Sequence, residues 1–387
     1  LGGWLLGAFL VADLGRADLP YVIHWNYVQK YDIDPANLHN SSNAILNFLR
    51  DKPYEHRVAQ LPFTMPAQYQ VFNGGGGVYY TEWLQHQFPY FAIQSLDIIQ
   101  RPRTPADVEA YQLAMIPFSE ATAYLTARHW ELTNTRFLLG PAGFLNVLNQ
   151  QLDPEQHRFR IVQRFSVVLR PGIDEMTKLE DLTTAPDPNG QYALFEFTGA
   201  LPRARLYADW QTNSVADLQH FTTNNLHGLD WTVFNNAGTN DFLTLKKLAS
   251  ASFDPQQTVL LSAPLPDAKP NTTTNRNPGS VEFKSYSPKT IELATLSSSP
   301  AVLLLNDKYD EHWQVTVDGQ PATLLRCNFI MRGVYVPAGA HAVVFHFALS
   351  HKPFYLTLAA MVVGVLLCGV LLVSTRVATS SKPRRAV

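Results

Sequence analysis

Phe354 to Val373 is a run of twenty residues without a single charge, and that one segment limits what the rest of the chain can be. At about 1.5 Å of rise per residue, a helix of this length covers the ~30 Å of hydrocarbon in a bilayer. Only a helix or a closed barrel satisfies every backbone polar group there. The segment 354–373 is therefore expected to be a transmembrane helix with the bilayer as its first partner. Gly364 and Gly369 inside it suit the close approach of a neighbouring helix, so other transmembrane helices of the same chain are expected beside it. Arg376, Lys382, Arg384 and Arg385 follow the run, whereas only His351 and Lys352 precede it. Excess Lys and Arg marks the cytoplasmic side, which makes 374–387 a cytoplasmic basic tail and the bulk of the chain extracytoplasmic.

The other end is apolar too. Residues 1–12 carry no charge, and then Asp13, Arg16 and Asp18 arrive together. Twelve residues do not span a bilayer. With no initiator Met and no basic leading region, the stretch does not read as a signal peptide. Residues 1–13 are expected to be the end of a truncated transmembrane helix, which makes the whole a multi-pass protein of a bacterial cell membrane. Over the whole chain, 46% hydrophobic and 16% charged residues with a net charge of −2 describe a globular protein with some extra apolar load. No basic stripe answers a phosphate backbone, so nucleic acid is excluded as a partner. The two cysteines, Cys327 in an expected strand and Cys368 in the membrane helix, offer no disulfide framework.

The span 14–351 is long enough for two domains. Residues 14–190 read as a mixed α+β domain. Ser42 is placed to cap a short helix through Leu49, Thr104 and Pro105 to open another through Ala114, and Glu120 to Trp130 forms a third; His56 to Leu61 and Arg136 to Leu139 read as strands. Residues 191–351 read as an antiparallel β-sandwich, jelly-roll-like, from ten short strands between Tyr192 and Phe347 separated by turn residues. Asp318-Gly319 and Pro337-Ala338-Gly339 are expected to be hairpin turns. One helix, Ser214 to Asn224, interrupts the strands.

Tyr309, Trp313, Val317-Asp318-Gly319, Asn328, Arg332-Gly333-Val334, Val336-Pro337-Ala338-Gly339, His341 and Phe345, followed by a membrane helix, resemble the C-terminal signature of the YfhO family of bacterial membrane proteins. Leu201-Pro202-Arg203-Ala204 and Asp13-Leu14 resemble it as well. The family is related to the GT-C glycosyltransferases, so the resemblance implies a multi-pass protein that takes a sugar from a polyprenyl-phosphate carrier for a cell-surface glycan acceptor. In such enzymes the catalytic carboxylate lies in an early outer loop, and no catalytic residue is carried over to this chain. The role implied for this region is accessory, handling the acceptor; the alternative is a non-catalytic, membrane-anchored sandwich that binds glycan or protein partners.

The residues themselves indicate no cofactor and no metal. The twelve histidines show no zinc-ligand spacing. Gly74 to Gly77 lacks the Lys-Ser/Thr of a phosphate loop and reads as a flexible loop. Asp307, Asp310 and Glu311 lack calcium-loop spacing and read as a solvated acidic turn. For a glycan, aromatic faces stack on sugar C–H faces while carboxylates, amides and guanidinium groups bind hydroxyls. Tyr309, Trp313, Asp318, Asn328 and Arg332 supply that chemistry if they are exposed together. Strand alternation puts Trp313, Val315 and Val317 on one apolar, inward face.

Overall fold

The computed structural model describes residues 2–24, 27–51, 54–61, 83, 86–96, 103–223, 226, 228–265, 278–349 and 352–380. The Gly74 to Gly77 run lies outside them. The fold is mixed α/β, built on curled, partly open sheets, with one long apolar helix at its C-terminal end.

The first sheet has five strands in the order Arg57–Gln60, Thr135–Pro141, Tyr192–Phe197, Phe159–Leu169 and Leu182–Pro186. Its first pair is parallel and the others antiparallel. Tyr192–Phe197 is buried at every position because both faces of the sheet are covered. Leu194 and Tyr192 pack with Ile45, Leu46, Leu49, Trp83 and Phe88 on one side; Ala193, Phe195 and Phe197 meet Trp130, Leu148 and Leu152 on the other. The helix Ala44–Arg50 is capped one residue later than expected. Asn43 accepts from the amides of Ile45 and Leu46, while the Ser42 hydroxyl turns to Asp32.

The chain then enters a four-stranded antiparallel sheet of Leu325–Cys327, Met331–Val336, Ala301–Lys308 and Ala204–Tyr207. Its inner face, with Leu206, Leu303, Leu305, Val334 and Val336, packs on Ile291, Leu293, Val315, Val343 and Phe345. Those residues belong to a five-stranded antiparallel sheet ordered Gly279–Tyr286, Thr290–Ser297, Gly339–Phe347, Trp313–Val317 and Gln320–Ala322. The strand Thr290–Ser297 alternates buried and open positions, as a sheet with one covered face must. All ten expected strands are present within a few residues, but no closed sandwich or jelly roll is found among the described residues.

Two features overturn the simple sandwich. Leu229–Ala237 and Thr239–Ala249 are helices where strand connections were expected. Their Val233, Phe242, Leu245 and Leu248 pack with Tyr207, Val302, Leu304 and Met331 on the outer face of the four-stranded sheet. Ala301–Lys308 is thereby buried over seven consecutive residues, the middle layer of three. Pro337-Ala338-Gly339 is not a hairpin turn either. It carries the chain from one sheet to the other, so Val334 and Val336 face Val343 and Phe345 across the core instead of pairing with them edge to edge. Asp318-Gly319 does close a hairpin, with φ of 51° and 78° and Val317 opposite Gln320, the mirror-image turn that suits strand twist.

At the ends, the first helix runs Gly2–His24, on through Asp13, Arg16 and Asp18. The last runs Lys352–Ser380, and its window Phe354–Leu371 has a mean hydropathy of 2.4 with none of it buried against the fold. A helix apolar on every face and uncovered by protein is long and apolar enough to cross a membrane.

Gly333 tests this layering. A Cβ there would stand 2.6 Å from the Leu303 carbonyl oxygen and 2.7 Å from Cys327 Sγ, with backbone on one side and a wholly buried thiol on the other. Gly333→Ala is expected to destabilise the full chain by about 1–3 kcal/mol through overpacking, read by chemical denaturation in detergent. A change below about 0.5 kcal/mol would show that the two strands separate freely at this point.

Candidate functional site

Asp307 lies near the end of the strand Ala301–Lys308, whose first five residues are apolar. The pairing register with Met331–Val336 shifts between Leu305 and Lys308, a bulge that frees Asn306 and Asp307 from the ladder and re-aims them. Both turn toward the first sheet. Asn306 donates from Nδ2 to the Leu132 carbonyl at 2.7 Å and accepts from Arg57 Nη1 at 2.9 Å, while its amide bonds the Arg203 carbonyl at 2.7 Å.

Three guanidinium groups meet the Asp307 carboxylate. Arg203 Nη2 lies 2.6 Å from Oδ1, Arg57 Nη2 3.4 Å from Oδ1, and Arg332 Nη2 3.1 Å from Oδ2. The Tyr286 hydroxyl donates to Oδ2 at 3.3 Å and accepts from Arg203 at 3.1 Å. Arg332 also donates to the Lys308 carbonyl at 3.1 Å, and its guanidinium carbon stands 3.7 Å from the Trp313 ring centre. Burial disfavours the charge on Asp307, but Arg203, Arg332 and Arg57 outweigh it and hold the carboxyl below its usual range. Burial, with Arg203 adding to it, lowers Arg57 to about 10. The cluster carries two positive charges in excess. Arg203 Nε and Nη1 and Arg332 Nε are buried with no protein partner among the described residues.

Two cavities border this cluster. Arg203 lines a cleft of about 750 Å³ between the first sheet and the outer strand Gly279–Tyr286, with Tyr54, Arg136, Arg160, Glu196 and Phe283. Glu196 accepts from Arg136 Nε at 2.8 Å and from Arg160 Nε at 2.7 Å; burial works against its charge, but these two arginines hold its carboxyl below the usual range. Arg57 and Asp307 line the second cavity, about 430 Å³.

The five residues expected to bind glycan do not share one surface. Trp313 is half-buried beneath Arg332, itself buried in the ion cluster. Asn328 is fully buried: its Oδ1 accepts the Leu260 amide at 2.9 Å and its own amide bonds the Leu260 carbonyl at 2.7 Å, fixing the strand Thr258–Leu260. Asp318 is exposed in its turn, 2.7 Å from His341 Nδ1; that hydrogen bond raises the His341 pKa. Tyr309 is half-buried, its amide donating to the Ile330 carbonyl at 2.7 Å. The acidic turn also divides, since Asp307 is enclosed whereas Asp310 pairs with His312 at 2.7 Å. A charged residue closing a seven-residue buried run signals a buried partner; the partner Arg57 lies 250 positions away.

No known protein family, no curated protein and no solved structure matches this chain.

Removing the shared carboxylate leaves three buried guanidinium groups with no counter-charge. Asp307→Asn is expected to cost about 3–5 kcal/mol, measured by denaturation of the full chain in detergent. Because the folded-state pKa of Asp307 is depressed, its contribution is complete above the ordinary carboxylate range and is lost as pH falls through and below about 4. In Asp307→Asn the decline of stability over that range is expected to be shallower.

Proposed function

We propose that this chain is a membrane-anchored binding module that takes a glycan in the cleft lined by Arg203. The observation that carries the reading is the lining itself. Half-buried Tyr54 and Phe283, with ring centres 5.3 Å apart, offer aromatic faces, and the exposed parts of Arg136 and Arg160 sit on the enclosed Glu196 carboxylate. Aromatic rings beside planar donors and fixed carboxylates supply both the stacking and the hydroxyl recognition that a sugar needs. The cleft has the size of a small-ligand site.

In this reading the helix Lys352–Ser380 is the anchor, the basic tail is cytoplasmic, and the sheets stand outside a bacterial cell. The two β-sheets sharing one core form an open sandwich. Membership in the YfhO family, with a multi-pass architecture, rests on the C-terminal residues quoted above. Gly319 and Gly333 of that set already have structural reasons in the fold.

The test is oligosaccharide binding by the full chain in nanodiscs, using bacterial cell-wall and capsular fragments. Binding with a dissociation constant of millimolar or tighter is expected, weakened about tenfold, about 1.4 kcal/mol, in both Tyr54→Ala and Phe283→Ala. If no fragment binds at 10 mM, or if both variants bind as well as the parent, the glycan reading fails.

A further inference from the structure

The second cavity has a different chemistry, and the proposed glycan cleft leaves it unused. It lies where the helix Ala106–Ala114 and the helix Tyr124–Leu132 meet the end of Ala301–Lys308. Most of its wall is apolar, from Leu96, Val108, Ile330 and Met331. Polar side chains line it as well, among them Ser95, whose hydroxyl is buried with no protein partner among the described residues, and three that lie near one another. Tyr111 is 3% exposed, and its hydroxyl is buried with no protein partner among the described residues. The Nδ1 of His129 is likewise buried without one, its ring centre 5.7 Å from that of Tyr111. Arg57 is the third, its four terminal N–H directions already taken by Thr133, Asn306 and Asp307.

Leaving two buried hydrogen-bonding groups unmade costs about 1–3 kcal/mol each, so they are expected to have a partner in the working protein. Its charge follows from the surroundings. Burial, and then Arg57, keeps His129 neutral down to about pH 4, and burial pushes the Tyr111 phenol up. Both groups are therefore neutral and able to donate, in the field of a cluster with two positive charges in excess. A cation is repelled there and a neutral ligand leaves that field unanswered.

We propose that this cavity binds a small amphiphile with one carboxylate, which accepts from the Tyr111 hydroxyl and from His129 Nδ1 beside Arg57 while its apolar body lies on Val108, Ile330 and Met331. The tautomer of His129 with the proton on Nδ1 is the one such a ligand selects.

The experiment is isothermal titration calorimetry of the full chain in nanodiscs with sodium benzoate, and with benzyl alcohol as its uncharged counterpart of similar shape. Saturable benzoate binding is expected, at least tenfold tighter than that of benzyl alcohol, and weakened about tenfold by Tyr111→Phe, which keeps the ring in the core and removes only the hydroxyl. Val108→Trp, which fills the cavity from its rim, is expected to abolish it. Tyr54→Ala, in the other cleft, is expected to leave it unchanged. Absence of saturable heat up to 20 mM benzoate, equal affinity for the alcohol, or unchanged binding in both Tyr111→Phe and Val108→Trp overturns the proposal; in those cases the two orphan groups hold water alone.

Discussion

One carboxylate shared by three guanidinium groups is what the arrangement of the sheets depends on. Arg57 begins a strand of the first sheet, Arg203 lies in the segment that leaves that sheet, Arg332 lies in the middle sheet, and Tyr286 ends the outer strand of the third. All of them reach Asp307. Apolar packing holds each layer to its neighbour but is indifferent to small shifts in direction. Charged hydrogen bonds are directional, and a buried group that loses its partner is heavily penalised. The cluster therefore acts on registration more than on gross stability, since a buried ion pair contributes little beyond a well-packed apolar alternative.

That same cluster borders both cavities. A bulge at Asn306 and Asp307 interrupts a ladder, and both of these residues line the smaller cavity. The cleft beside Arg203 has guanidinium and carboxylate groups on half-exposed stems, with aromatic rings opposite. The cavity beside Arg57 is walled mostly by Leu96, Val108, Ile330 and Met331. One source of positive charge thus borders two spaces that differ in what surrounds it.

The strands of the C-terminal half were legible because alternation, β-branched residues and turn dipeptides are local signals. Asp318-Gly319 is a turn whatever surrounds it. The pair of helices over residues 229–249 was not legible. Each is short, their apolar positions are broken by Asn235, Asn236 and Gly238, and they are held by a sheet distant in sequence. Pro337-Ala338-Gly339 has the composition of a hairpin, and only the packing of Val334 and Val336 against Val343 and Phe345 decides that the strands stack. For the site, the residue types were legible and their grouping was not. Asn328 and Arg332 have sugar-binding chemistry, but both spend it inside the protein, on Leu260 and Asp307. Arg57 carried no signal and Arg203 only that of a quoted motif, since their grouping comes from a partner far along the chain.

The stacking of those two strands bears on how the molecule is made. In the outer sheet the strands Gly279–Tyr286 and Thr290–Ser297 form one hairpin, and Trp313–Val317 and Gln320–Ala322 form another. The strand between them, Gly339–Phe347, comes last in sequence. As the chain leaves the ribosome, the hairpins have no common neighbour until it arrives, and each exposes an open edge meanwhile. Four residues separate its end from the helix Lys352–Ser380. Closure of the outer sheet and delivery of the apolar helix are therefore adjacent events in synthesis, and a chain halted before residue 339 would hold two unjoined hairpins and lack that helix.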